Sequence, residues 1–226
     1  KARLSSADLL IDLKGSNLSN ISVSSSEVVV GSMTRHCDVA FSSDIKGSLP
    51  ALAKLAGGIG DHMVRSWGTI GGSLANNDPA ACYPSAVLAL GATVITNERS
   101  ITADDFFEGM FETALNEDEI ITEIKFPIPE KASYIKFPNP ASRYAMVGVF
   151  MVKKPEGISV AVTGAGENGV FRCQEIENVL NSNFALEALD NIQISHDNLT
   201  SDIHASAAYR ANLIKEMAKK GLQELI

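Results

Sequence analysis

Aromatic residues make up only 6% of the 226 residues, tryptophan occurs once, and cysteine three times. Cys37, Cys82 and Cys173 stand far apart, so no CxxC knuckle for zinc or an iron–sulfur cluster can be built from them. A sparse, odd cysteine count also fits a reducing compartment better than a disulfide framework. Cations are in deficit: 19 Lys+Arg face 27 Asp+Glu, a formal net charge of −8. The densest basic pairs are Lys153-Lys154 and Lys219-Lys220, whereas a nucleic-acid binder needs clustered Lys and Arg to meet phosphates. No apolar run approaches the roughly 18–20 residues of a membrane span. The opening KARLSSADLLIDL has neither a signal-like hydrophobic region nor a cleavage site. These absences leave an acidic globular protein, expected in the cytoplasm. A chain this long buries roughly 70% of its unfolded surface, enough for one large domain or two small ones.

Residues 1–127 alternate short strands, loops and helices. Glu27 to Gly31 clusters β-branched residues and reads as a strand. Ser48 and Pro50 open a short helix that stops at Gly57-Gly58. Residues 59–82 are rich in Gly, Asn, Asp and Pro and read as loop. A helix follows from Pro84 to Gly91, then a hairpin formed by 92–96 and 99–101. Thr102 caps another helix, with Ile101 and Phe106 placed as a hydrophobic staple. The Phe106, Phe107, Met110, Phe111 stripe has helical spacing and reads as core. Residues 120–126 form a strand ended by Pro127 and Pro129.

That proline pair marks the expected domain boundary. Beyond it, 145–152, 158–163 and 170–173 read as a three-stranded antiparallel meander, with one apolar face. Helices follow, the last from about Ala205 to Lys220 with Gly221 at C′. Strands followed by helices indicate an α+β architecture.

Gly164-Ala-Gly-Glu-Asn-Gly169 fits G-x-G-x-x-G, but Val-Phe-Arg-Cys after it reads as a strand and not the helix a dinucleotide fingerprint requires. A glycine-rich hairpin turn is the reading adopted. The informative segment is 65–81, RSWGTIGGSLANNDPAA. Gly71 and Gly72 let backbone N–H groups approach an anion, Thr69 and Ser73 add hydroxyls, and Asn76, Asn77 and Asp78 could bond sugar hydroxyls. A tight Gly-Gly turn with an Asp-Pro helix cap accounts for these residues equally well. His36, His62, His196 and His204 show no metal-ligand spacing and read as structural or solvated. Trp67 is expected to pack beside the Gly-Gly loop, and Cys37 and Cys173 to be small buried hydrophobes.

GTIGGSLANNDPAA resembles the signature of the FAD-binding medium subunits of molybdenum hydroxylases, the carbon monoxide dehydrogenase and xanthine dehydrogenase group. GSMTRHCDV (31–39), residues 117–129, YIKF (134–137), ASRYAMVGVF (141–150) and DIHASAAYR (202–210) extend the resemblance along the chain in order and spacing. It implies a vanillyl-alcohol-oxidase-like (PCMH-type) FAD-binding domain over 1–127 and a small C-terminal domain over 128–226. It also implies a function: electrons from a molybdopterin large subunit pass through a 2Fe-2S small subunit to FAD on this chain, then to an external acceptor. By position, Thr69, Ile70, Gly71, Gly72 and Ser73 would hold the diphosphate. Thr34 would approach the flavin side, Ile59 the adenine, and Ile121 and Lys136 the isoalloxazine. Read from residue chemistry, Thr34 serves equally as a turn residue, Ile121 as core, and Lys136 as a solvated strand end.

Two positions depart from the family. Cys82 stands where an acidic residue usually follows D-P-A-A, leaving Asp78 the nearest carboxylate, and Arg143 stands where many relatives carry Asp. The start at Lys1 also reads as trimmed: a first lobe with an A-G-G-x-S loop, about fifty to sixty residues against a domain prior of roughly 100–200, is expected upstream. Two further functions fit the same sequence, a self-contained flavin oxidoreductase and a flavin-free structural subunit.

Overall fold

A computed structural model describes residues 9–226. In chain order the elements are β1 (Ile21–Val23), β2 (Glu27–Gly31), α1 (His36–Phe41), α2 (Ser43–Ser48), α3 (Pro50–Gly57), α4 (His62–Trp67), α5 (Ile70–Asn76) and α6 (Tyr83–Leu90). There follow β3 (Thr93–Thr96), β4 (Ser100–Thr102), α7 (Ala103–Phe106), β5 (Phe107–Gly109), β6 (Glu112–Thr113) and β7 (Ile121–Pro127). The remainder comprises β8 (Lys131–Pro138), β9 (Ala145–Lys154), β10 (Gly157–Thr163), β11 (Phe171–Arg172), α8 (Gln174–Ser182) and α9 (Ala207–Leu225).

The first sheet is antiparallel with strand order β1-β2-β7-β3-β4. Its register sets Val28 opposite Phe126 and Val30 opposite Ile124. All four are fully buried, so the period-2 pattern of β2 and β7 puts one apolar face against the helices. Leu52, Leu55, Ile70, Leu74, Tyr83 and Phe106 complete that core.

The second sheet has four strands, in the order β11-β10-β9-β8, where the sequence pattern suggested three. β8 was hidden because KASYIKFP mixes charged and apolar residues without clean alternation. Nor does this sheet have a single apolar face. Phe150, Val152 and Ala161 face the first core, whereas Val149, Met151, Val160 and Val162 face a second core under α8 and α9. A sheet buried on both sides reads as a continuous apolar run, as in β9.

Four further expectations give way to the structure. Residues 59–82 are not all loop: Asp61 and Thr69 cap α4 and α5 by accepting hydrogen bonds from the N–H groups of Val64 (2.9 Å) and Gly72 (3.2 Å). The helix after Thr102 lasts only four residues, so Met110 and Phe111 lie exposed on the β5–β6 hairpin and not in the core. α9 runs through Gly221 to Leu225, and Gly221 is there for close packing: a Cβ would stand 2.9 Å from Met151 Sδ. α3 begins at Pro50, with Ser48 closing α2. The 164–169 glycines do form a turn, with Gly164 and Gly169 at φ 82° and 106°, and β11 follows. No helix among the described residues is long and apolar enough to cross a membrane.

Candidate functional site

A cavity of about 440 Å³ opens between α4, α5 and the 139–144 loop that leads into β9. Three structural features shape its walls.

The first wall is the start of α5. The backbone N–H of Ile70 donates to Thr34 O (3.0 Å) and that of Gly71 to Ser32 O (2.8 Å), which fastens the helix to the end of β2. Gly71 is required by that approach, because a Cβ there would lie 2.5 Å from Ser32 Cβ. Gly72 N–H donates to Thr69 Oγ1 and Ser73 N–H to Thr69 O. The first-turn amides are therefore all engaged within the protein, and no open amide nest is presented. From this helix start, Thr69, Gly72 and Ser73 line the cavity, Gly72 without a side chain.

The second wall is cationic. Lys136 Nζ donates to the carbonyls of Gly58 and Arg143 (3.1 Å to the latter) and lies 3.7 Å from Cys82 Sγ. One ammonium thus ties together the end of α3, the 139–144 loop and the start of α6. Arg143, in the left-handed region at φ 63°, lines the same space. Asp78 is the carboxylate of the lining; its Oδ1 accepts from Ala80 N–H (2.8 Å), and Oδ2 has no partner among the described residues. The third wall is apolar, formed by Ile59, Val64 and Trp67. Trp67 does not pack beside the glycines as expected: it is 81% exposed.

Of the residues singled out from sequence, Ile59, Thr69, Gly72, Ser73, Asp78 and Lys136 line the cavity together. Thr34, Ile70, Gly71 and Ile121 are buried behind it. Asn77 turns away from any sugar contact, its Nδ2 donating to the carbonyls of Gly109 and Glu112 (both 2.8 Å) to anchor the β5–β6 hairpin. His36, read from sequence as structural or solvated, and Tyr144 also line the cavity. His36 lies in the GSMTRHCDV segment and is buried. Burial and the nearby Arg65 guanidinium lower its pKa to about 4, so the imidazole is neutral near pH 7.

Hydroxyls, two cations and apolar side chains in one lining fit a ligand that combines an anionic diphosphate with flat, apolar rings. Comparison with known proteins agrees. The family described as the FAD binding domain in molybdopterin dehydrogenase matches residues 1–129. The glyceraldehyde dehydrogenase medium chain of Sulfolobus acidocaldarius is 32% identical over 241 residues, covering 100% of this chain and 85% of its own length. The carbon monoxide dehydrogenase medium chain of Hydrogenophaga pseudoflava is 29% identical, covering 98% and 83%. A chain of reconstituted CO dehydrogenase from Oligotropha carboxidovorans superposes with a TM-score of 0.82 at 26% identity, covering 92% of this chain and 78% of that one. The chain belongs to the family of FAD-binding medium subunits of molybdenum hydroxylases.

Proposed function

We propose that this chain carries FAD as the electron-transfer subunit of a cytoplasmic molybdenum hydroxylase. Its partners are a molybdopterin large subunit and a small subunit with 2Fe-2S clusters. The observation that carries this reading is the cavity at α5, whose lining brings Thr69, Ser73, Lys136 and Arg143 together with Ile59, Val64 and Trp67.

When bound, FAD supplies the capacity to take up electrons and pass them on singly or in pairs. The residues of the chain bind and orient. Thr69 and Ser73 hydroxyls donate to phosphoryl oxygens, and Gly72 keeps the approach clear of a side chain. Lys136 and Arg143 balance the diphosphate charge, and Asp78 Oδ2 accepts from ligand hydroxyl groups. Ile59 covers the ring system and excludes water. Thr34, Ile70, Gly71 and Ile121 act from behind the wall: the first three fix α5 against β2, and Ile121 holds the head of β7 in the core. We divide the chain after Pro127, a division supported by the second core under α8 and α9, which is built wholly from residues beyond that point, although Tyr134, Phe150, Val152 and Ala161 also pack into the first core.

The experiment is flavin bleaching. In the complete complex, the substrate of the large subunit should bleach the flavin band. The chain alone, mixed with that substrate, should not respond. Bleaching of the isolated chain would overturn the relay and favour a self-contained flavin oxidoreductase.

A further inference from the structure

His36 heads α1 and is only 5% exposed. Its backbone N–H donates to Gly68 O at 2.9 Å, which seats the imidazole directly under the residue that precedes Thr69. Gly68 has no side chain for that reason: a Cβ would stand 2.5 Å from His36 Nε2 and 2.8 Å from Cδ2. On its other side the ring meets Tyr83, with centroids 5.3 Å apart and planes tilted by 48°. The imidazole is therefore held in one place, in the lining shared by Thr69, Gly72 and Ser73.

Its two nitrogens are not equivalent. Nδ1 is fully buried and has no hydrogen-bond partner among the described residues. Nε2 lies on the Gly68 side, next to the start of α5. A neutral imidazole carries one proton, and an orphaned buried N–H is rarer in folded proteins than an acceptor left short of a donor. The proton is accordingly assigned to Nε2, with the bare lone pair on Nδ1.

We propose that His36 is a cofactor-contacting residue whose Nε2–H donates a hydrogen bond to a diphosphate oxygen of the ligand held beside Thr69. The assignment rests on the FAD reading given above. It adds a donor to a wall whose backbone amides are already engaged, and it explains why a polar ring is packed where an apolar one would leave no nitrogen orphaned.

The test compares His36→Ala, His36→Asn and His36→Gln in the purified complex, with FAD dissociation followed by flavin fluorescence. A Gln amide reaches the place of Nε2 and an Asn amide that of Nδ1, so Gln should restore the contact and Asn should not. Loss of a hydrogen bond to a charged group corresponds to roughly ten- to a hundredfold weaker binding. His36→Ala and His36→Asn should lose FAD by that factor, and His36→Gln should stay within about threefold of wild type. ADP, which carries the diphosphate without the flavin, should weaken with Ala in parallel, whereas adenosine should not respond. Thermal melting of the flavin-free proteins reads any folding defect separately. FAD and ADP binding unchanged in His36→Ala, or lost equally in Ala and Gln variants that melt like wild type, would overturn the proposal. A wild-type complex that contains no flavin would instead overturn the FAD reading itself.

Discussion

Gly71 and Gly72 are neighbours in one signature, yet the structure separates their roles, and alanine at each should show it. At Gly71 the added Cβ would meet Ser32 Cβ at 2.5 Å, Ser32 O at 2.7 Å and Ser32 Cα at 2.9 Å. Two of these are backbone atoms and cannot swing aside, so α5 must lift from β2 and the Gly71 N–H bond to Ser32 O is strained. Overpacking costs about 1–3 kcal/mol and the lost hydrogen bond about 1, while alanine recovers about 1 kcal/mol of helix propensity. The net loss is about 2 kcal/mol, a fall in Tm of about 4–8 °C for a chain of this size. At Gly72 the Cβ meets only Thr69 Oγ1, at 3.0 Å. Weakening that N-cap costs about 1 kcal/mol, and the propensity gain offsets it. The flavin-free protein should then melt within about 2 °C of wild type, while a methyl group in the cavity wall lowers FAD affinity about tenfold. Thermal unfolding followed by circular dichroism, with FAD titrated separately by fluorescence, reads both quantities. A Gly71→Ala protein as stable as wild type, or a Gly72→Ala protein with unaltered FAD affinity, would refute the assignment.

Three further outcomes follow from packing and charge. Glu119 is buried; the Arg99 guanidinium, then the Asn116 N–H and the Thr96 hydroxyl, hold its pKa down to about 2. Because this lies below the unfolded value of about 4.3, the stabilisation is complete above that pH and is lost as pH falls toward 2. The Tm gap between wild type and Glu119→Gln should therefore close across that window, and a pH-independent gap would contradict it. Gly221→Val should cost at least about 2 kcal/mol in denaturant unfolding, since Met151 and Ser133 occupy the space; a helix-end glycine would lose less than half of that. Asn77→Ala should cost about 1–3 kcal/mol by stranding the Gly109 and Glu112 carbonyls. Hydrogen exchange at the Phe111 amide, which donates to Asn77 O, should then accelerate.

Much of this architecture was legible in the sequence. β2 is bounded by residues whose patterning is unambiguous, and Pro84 and Gly91 bracket α6 as helix-start and helix-end signals should. The short helices α4 and α5 were not legible, because one or two turns carry no measurable period and the glycines read as loop. Their caps, Asp61 and Thr69, were the signals available. Site residues contiguous in the signature were found together, but the sequence could not say which side of the wall each occupied. That depends on where β2 ends: Ser32 and Thr34 take the Gly71 and Ile70 amides, turning those two residues inward and leaving Gly72 and Ser73 outside. Trp67 was misjudged for the same reason, since its surroundings are set by tertiary contacts alone.

Whether the side chains of the cavity at α5 hold FAD is read most simply from the flavin content of the purified complex. With this chain unaltered, flavin absorbance should report one FAD per chain. With Thr69→Val and Ser73→Ala combined, the flavin should be lost on gel filtration while the subunits stay assembled. Full flavin retention in the double variant, or no flavin in the unaltered complex, would contradict the account.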